Sequence, residues 1–268
     1  MNSDTRPIGI FDSGVGGLTV AQELYHLLPH ENTIYVGDTA NVPYGAKSPA
    51  QLLQYAHEII KFMISKDVKA VVIACGTSSA VTYDTLVKEY PGLPLIDVIR
   101  PGVAACKNFL TSNPSKQNIG MIATTATIKS GAFARLFEDE CYNAMLYSQA
   151  CPLFASMVES GIPLTHPALQ FATRTYLDHL RGNIDALVLG CTHYPLLSDI
   201  LLDVLGDIKL INVSDATATA TKEALQYNGL FNASTALGRH EYYVTGNAHA
   251  FDAIGSLILG DSCEAVEI

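Results

Sequence analysis

Tryptophan is absent from this 268-residue chain, only 16% of its residues are charged, and acidic side chains outnumber basic ones. The formal net charge of −10 argues against nucleic acid or an anionic membrane surface as the main partner. No apolar run approaches the roughly 20 residues that span a bilayer. The first residues also lack the basic start and apolar core of a signal peptide. The sequence therefore predicts a cytoplasmic globular protein that binds neither nucleic acid nor membrane.

Standard metal and nucleotide motifs are missing as well. The six cysteines form no CxxC pair and no Cys/His set at zinc-finger spacing, which predicts reduced thiols and no zinc site. The glycine-rich segment FDSGVGG has neither the spacing of the dinucleotide fingerprint nor the Gly-Lys-Ser/Thr of a P-loop. Its glycines still permit a tight turn that exposes backbone N–H groups to a carboxylate.

Short apolar runs alternate with longer amphipathic segments along the whole chain. Strands are predicted at 7–11, 32–36, 69–74, 94–98, 118–123, 144–148, 185–190, 208–213 and 241–245. Helices are predicted at 18–28, 48–65, 78–90, 129–138, 167–180 and 215–227. This order, with continuous apolar strands, is typical of a doubly wound α/β fold with mainly parallel sheets. Ligands of such sheets bind at the carboxyl ends of the strands.

Weak internal symmetry divides the chain. AVVIACGTSSA in the first half resembles ALVLGCTHYPLL in the second, each reading as strand, cysteine, threonine and helix. The wide spacing suits two pseudo-symmetric α/β lobes rather than a short repeat. We predict a discontinuous N-terminal lobe of residues 1–98 and 211–268, and a second lobe of residues 99–210.

The paired cysteines of these segments, Cys75 and Cys191, are the first candidates for chemistry. A cysteine at a strand end is usually a small buried apolar side chain. Here both are predicted to precede a helix N-terminus, whose free N–H groups lower a thiol pKa. Asp12 and Asp38 follow the first two predicted strands, where helix capping or a turn is the alternative role. His193 follows Cys191 by two residues and is either a partner of the thiol or a structural side chain.

Two thiols on matching strand ends suit one reaction in particular. One base removes a proton from one face of a carbon and the other delivers a proton to the opposite face, which inverts a stereocentre without net redox change. Thr77, Thr124, Thr125 and Thr192 add hydroxyls that bind a substrate or cap helices. Glu159 ends an apolar helical run, where a solvated helix end is the alternative.

Six segments together resemble the cofactor-independent aspartate/glutamate racemases, and the glutamate racemases among them. They are GIFDSGVGGLTV, YVGDTANVPYG, VVIACGTSSA, ATTATIKSG, CPLFASMVESG and LVLGCTHYPLL, and the similarity covers nearly the whole chain. The resemblance implies two α/β lobes with the active site in the cleft between them. It also implies racemisation of glutamate without cofactor or metal, to supply D-glutamate for peptidoglycan, and a homodimer.

The resemblance further implies the roles of individual residues. Cys75 would be the base for D-glutamate, assisted by Asp12, and Cys191 the base for L-glutamate, assisted by His193. Asp38 and Glu159 match further acidic positions of the family's catalytic site. The substrate-binding set would be Asp12, Ser13, Pro43, Tyr44, Gly45, Gly76, Thr77, Thr124, Thr125, Thr192 and His193.

Two positions depart from the family pattern. Gly76 stands where the family has Asn, whose side-chain amide serves the substrate α-carboxylate. A lost donor to a charged group typically costs about 1.5–3 kcal/mol, unless water or Ser78 or Ser79 replaces it. Asn212 and Val213 stand where the family has an Asp-Ser pair, and we expect that change to be structural.

Rival functions stay open at this point. The same fold also suits racemisation of aspartate or hydantoin, or a related decarboxylase, although a decarboxylase needs only one of the two thiols. A binding protein without turnover is disfavoured because both cysteines, Asp12 and His193 are present. A thiol redox enzyme is disfavoured because no two cysteines are close in sequence.

Overall fold

The computed structural model describes residues 3–268, which form two parallel β-sheets with helices between the strands. Six strands form the first sheet: β1 (Ile8–Asp12), β2 (Thr33–Gly37), β3 (Ala70–Ile73), β4 (Leu95–Ile96), β9 (His240–Val244) and β10 (Ala265–Glu267). Their order is β10-β9-β2-β1-β3-β4, and every neighbouring pair is parallel. The C-terminal part of the chain thus returns to the first sheet.

The second sheet has the order β6-β5-β7-β8, again with parallel pairs throughout. Its strands are β5 (Asn118–Ala123), β6 (Met145–Ala150), β7 (Ala186–Leu189) and β8 (Lys209–Asn212). The predicted α/β fold with mainly parallel sheets is confirmed. The boundaries of the two lobes stay a prediction, and Met1 and Asn2 lie outside the described residues.

Helices connect the strands in both halves. They are α1 (Leu18–Leu27), α2 (Pro49–Ser65), α3 (Gly76–Glu89), α4 (Ile99–Ser112), α5 (Thr125–Ser130), α6 (Ala132–Glu140), α7 (Phe154–Glu159), α8 (Pro167–Leu177), α9 (Ser198–Leu205), α10 (Val213–Asn228) and α11 (Ala248–Leu259). Strands β1, β3 and β7 are buried along their whole length, as the continuous apolar runs predict for strands covered on both faces. Helix α10 packs on both α1 and α4 and so joins the two halves.

The structure corrects the sequence prediction in several elements. The predicted helix at 129–138 is two helices, because Gly131 between them has φ +66°, which ends α5. Helix α4 was not predicted, since Pro101 and Gly102 resemble a turn; a proline is tolerated in a first helical turn. Helices α9 and α11 and the short strand β10 were also missed. Across residues 3–268 no helix has the length and apolar character needed to cross a bilayer.

Candidate active site

Strand ends of both sheets meet at a cavity of about 230 Å³. Its lining contains every residue predicted for catalysis or binding except Asp38. The predicted residues in the lining are Asp12, Ser13, Pro43, Tyr44, Gly45, Cys75, Gly76, Thr77, Thr124, Thr125, Glu159, Cys191, Thr192 and His193. The sequence missed Val42, Ala46, Pro152, Ala155 and Ser156, all of which lie inside or beside the motif segments. One thiol reaches the cavity from each sheet, since Cys75 follows β3 and Cys191 follows β7.

Cys75 is the N-cap residue of α3 and is 5% exposed. Its Sγ lies 3.7 Å from Oγ of Ser13. Burial raises the pKa of the Cys75 thiol, and the charge of Asp12 adds to the rise, while the N–H of Ser78 and the Ser13 hydroxyl oppose it. The N–H group of Ser78 at the helix N-terminus acts in the predicted direction, but burial outweighs it, so the net shift of this pKa is upward. Cys75 is a thiol at neutral pH.

Asp12 ends β1 and is almost completely buried. Its Oδ2 accepts hydrogen bonds of 3.0 Å from the backbone N–H groups of Gly14 and Gly17, so the glycine turn cradles this carboxylate. Its Oδ1 has no hydrogen-bond partner within residues 3–268. Burial raises the pKa of Asp12, although the charge of His193 and the two N–H groups oppose the rise. One oxygen is thus fixed by the turn, and the acceptor capacity of the other is unused.

Cys191, His193 and Glu159 form a hydrogen-bonded series. Sγ of Cys191 lies 3.6 Å from Nδ1 of His193, and Nε2 of His193 lies 3.0 Å from Oε1 of Glu159. Burial alone would lower the pKa of His193, but the hydrogen bonds with Cys191 and Glu159 hold it well above its usual range. Glu159 is therefore a partner of His193 and not only a solvated helix end.

The surroundings of Cys191 differ from those predicted in one respect. No α-helix begins directly after it, because the 3₁₀ turn Tyr194–Leu197 separates it from α9. No α-helix N-terminus therefore lies beside Cys191, and its Sγ lies beside Nδ1 of His193 instead. The two thiols thus have different neighbours, although the two segments resemble each other in sequence.

Asp38 does not line the cavity and is 2% exposed. Its carboxylate accepts hydrogen bonds from Asn41, from the Tyr44 hydroxyl at 2.6 Å and from Thr245 Oγ1 at 2.7 Å. Tyr44 does line the cavity. Asp38 therefore holds a cavity residue in place, which is closer to the turn role that the sequence allowed as its alternative.

Gly76 is in backbone contact with the other thiol-bearing turn. A Cβ built at Gly76 would lie 2.6 Å from the carbonyl oxygen of Gly190, closer than real Cβ atoms approach. The Asn side chain of the family therefore does not fit this geometry. Ser78 and Ser79 do not replace it, since their hydroxyls bond Thr82 and the Ile73 carbonyl and neither lines the cavity.

Serine and threonine hydroxyls form part of the cavity wall. No Lys or Arg is among the described residues that line it. Thr77 and Thr124, whose Oγ1 atoms are 2.9 Å apart, link the two halves across it, and Thr124 also caps α5. Within residues 3–268 no cluster of three or more His, Cys, Asp or Glu side chains is placed to hold a metal ion. Elsewhere, Asn212 caps α10 by accepting from the N–H of Ser214, the structural role expected for that change.

Two parallel β-sheets that each present one thiol to a shared cavity are the arrangement expected of a two-base racemase. The profile of the Asp/Glu/Hydantoin racemase family matches residues 18–222. The chain belongs to this family.

Relatives and solved structures agree over nearly the full length. A glutamate racemase of Syntrophus aciditrophicus is 41% identical over 266 residues, which is 98% of this chain and 96% of that protein. The structure of glutamate racemase from Francisella tularensis in complex with D-glutamate has a TM-score of 0.90 at 38% identity, covering 99% of this chain and 97% of that one. A glutamate racemase from Bacillus anthracis has a TM-score of 0.91 at 32% identity, covering 99% and 98%.

Proposed function

We propose that the protein interconverts L- and D-glutamate without a cofactor, by proton transfer between Cys75 and Cys191, and so supplies D-glutamate for peptidoglycan. The observation that carries the proposal is the cavity that receives one thiol from each sheet. Full-length similarity to glutamate racemases supports glutamate rather than aspartate as the substrate.

In this reaction one proton is removed from the α-carbon and another is added to the opposite face. With L-glutamate, the thiolate of Cys191 takes the α-proton: the Cα–H bond breaks, an S–H bond forms and the electron pair stays on Cα. The thiol of Cys75 then gives its proton to the opposite face of Cα and becomes a thiolate. The reverse sequence converts D-glutamate, and no electrons are gained or lost overall.

The two thiols have different neighbours. Burial raises the pKa of Cys75 and keeps that residue a thiol, while Nδ1 of His193 lies 3.6 Å from Sγ of Cys191 and is placed to exchange a proton with it. Before another L-glutamate reacts, Cys191 must lose a proton and Cys75 must regain one. His193 and Asp12 are the titrating groups beside the two thiols and are suited to this return transfer.

Substrate charge is held without a Lys or Arg side chain. We assign the ammonium to the free Oδ1 of Asp12 and the two carboxylates to hydroxyl and backbone donors of Ser13, Gly45, Thr77, Thr125 and Thr192. Fixed neutral donors stabilise the charge that develops on deprotonation and need no reorganisation during the reaction. Because Gly76 supplies no side-chain amide, we expect weaker glutamate binding than in a protein with Asn at this position.

Two further parts of the proposal concern the cell and the assembly. We place the protein in the cytoplasm as a homodimer, on its similarity to glutamate racemases. Light scattering coupled to size-exclusion chromatography measures the assembly directly, and a monomer at micromolar concentration contradicts the dimer.

The test is incubation of the protein with L- or D-glutamate in D₂O without added cofactor, followed by optical rotation and by loss of the α-proton signal. We expect both enantiomers to reach the racemic mixture. Cys75→Ser and Cys191→Ser each abolish racemisation, whereas Cys106→Ala, which changes a buried thiol outside the cavity, retains it. Turnover of aspartate but not glutamate contradicts the substrate, and near-normal turnover by either serine variant contradicts the two-base mechanism.

A further inference from the structure

The turn that carries Cys191 and His193 is in contact with the start of α1, which belongs to the other half of the molecule. A Cβ built at Gly16 would overlap the imidazole of His193, and its three nearest atoms all belong to that ring. The imidazole thus lies against the Cα of Gly16, in space that a side chain on any other residue would fill. Gly16 has no positive φ, so its backbone does not itself require glycine.

Thr19, three residues later, fixes the backbone of the same turn. Its Oγ1 lies 3.0 Å from the carbonyl oxygen of Thr192, which separates Cys191 from His193, and 3.0 Å from the carbonyl oxygen of Gly16. Oγ of Ser214 lies 2.9 Å away and completes the surroundings of this buried hydroxyl. Thr19 therefore connects the glycine turn to the Cys191 turn through one hydroxyl group.

The same glycine turn also contacts the second partner of His193. A Cβ at Gly14 would lie 2.8 Å from Oε1 of Glu159, the atom that bonds Nε2 of His193. Gly14 and Gly16 thus approach both members of the His193–Glu159 pair. Three contacts therefore fix the imidazole: Glu159 at Nε2, Gly16 against the ring, and Thr19 at the backbone carbonyl that precedes His193.

We propose that Gly16 and Thr19 form a seat for His193 and are positioning residues for proton transfer by Cys191. The seat keeps Nδ1 of His193 directed toward Sγ of Cys191, and it does so across the contact between the two halves of the molecule. This inference rests on the proposed function and on the assignment of Cys191 to L-glutamate. It predicts that damage to the seat impairs one of the two proton transfers selectively.

The first test compares Gly16→Ala with Gly92→Ala, a control at a glycine whose added Cβ meets nothing within 4 Å. We expect kcat of Gly16→Ala to fall roughly 10- to 100-fold, because a displacement on the order of 1 Å costs that much in proton transfer. Since the two enantiomers have equal free energies, kcat/KM falls equally in both directions. Primary deuterium isotope effects separate the steps: the effect rises for α-deuterated L-glutamate and falls for α-deuterated D-glutamate. Gly92→Ala leaves both effects unchanged.

The second test uses the hydroxyl of Thr19. Thr19→Val removes the link to Thr192 and should shift the isotope effects in the same sense as Gly16→Ala. Thr19→Ser keeps the hydroxyl and should restore the wild-type pattern. Loss of rate in Thr19→Val with unchanged isotope effects indicates general destabilisation and overturns the role of Thr19.

A third measurement does not depend on activity. Nuclear magnetic resonance of ¹⁵N-histidine-labelled protein follows the titration of His193, whose pKa should move back toward its usual value in Gly16→Ala as the bond with Cys191 is lost. If the wild-type protein does not racemise glutamate but this shift occurs, the result supports the seat for His193 and contradicts the proposed function. If the wild-type protein racemises glutamate while Gly16→Ala changes neither the titration nor the isotope effects, the seat is overturned.

Discussion

Asp38 is the one acidic residue implied in catalysis by the family resemblance that the structure places outside the cavity. Its oxygens are occupied by Asn41, Tyr44 and Thr245, the last from the far end of the chain. Of these three partners, only Tyr44 lines the cavity. We therefore treat Asp38 as a positioning residue for the loop that carries Tyr44.

The variant Asp38→Asn separates positioning from proton transfer. It keeps one acceptor oxygen and loses the other, so Tyr44 is held less firmly and KM for both enantiomers should rise on the order of tenfold, while kcat and the isotope effects stay near wild type. Tyr44→Phe is the matched variant, and because the two residues act through one contact, the double variant should be no worse than the poorer single one. A large fall in kcat with raised isotope effects contradicts this role and restores the catalytic one.

Single residues also show where sequence reasoning ends. Asp12 and Asp38 both follow apolar runs, so the strand-end rule brought both toward one site. The two residues differ in their partners: Asp38 accepts a hydrogen bond from Thr245, which is remote from it in sequence, whereas Asp12 accepts from the backbone of the glycine turn. The helix N-terminus expected to activate Cys75 is present, but its effect is smaller than that of burial, which depends on packing from both halves.

At the scale of elements, a buried acid, Asp97, lies directly before the N-cap residue of α4. Asp97 is 2% exposed and accepts hydrogen bonds from the backbone N–H of Arg100 at 3.4 Å and from its Nη1 at 3.0 Å. Burial raises the pKa of Asp97 to about 6 against the opposing charge of Arg100. The folded state therefore binds this proton more tightly than the unfolded chain, whose value is near 3.8. The resulting stability is present below the unfolded pKa and is lost as pH rises through the folded pKa.

Asp97→Asn should remove this pH dependence. Between about pH 4 and pH 7, the free energy of unfolding of the wild type should fall relative to that of the variant by on the order of 3 kcal/mol. Urea unfolding at several pH values measures the difference between the two proteins. The control is Asp84→Asn, because Asp84 is the exposed second partner of Arg100 and its side chain is 79% exposed. Parallel curves for the wild type and Asp97→Asn contradict the assignment.

The elements themselves were predicted where the local pattern is strong. All the buried strands that carry site residues were located from their apolar runs, because strands covered on both faces have no polar alternation. The return of residues 211–268 to the N-terminal lobe and a strand at 241–245 were predicted, but the pairing of β9 with β2 and the strand β10 were not, since they depend on contacts between distant segments. Helix α4 was not predicted, because the Pro-Gly pair near its start resembles a turn.

The whole molecule is held together in part by an ion pair far from the cavity. The side chains of Lys69 and Glu31 are 0% and 3% exposed and form a salt bridge. Lys69 Nζ also donates to the carbonyl of Asp4 at 2.7 Å, and Glu31 Oε1 accepts from the N–H of Asn232 at 2.8 Å. The pair thus joins the chain before β1, the α1–β2 loop and the start of β3 to the segment that returns from the second half.

Lys69→Met should lower the free energy of unfolding by about 3–5 kcal/mol, because it leaves the Glu31 carboxylate buried without its cation. Adding Glu31→Gln should recover part of that loss, since the amide oxygen still accepts from Asn232 and no charge remains buried. Denaturant unfolding measures both variants, and Lys107→Met is the matched control, because its pair with Glu140 is about half exposed and should contribute no more than about 1 kcal/mol. Racemase activity of the folded variants should be unchanged, since neither residue of the pair lines the cavity. A loss for Lys69→Met no larger than that for Lys107→Met would mean that the four segments are held by apolar packing instead.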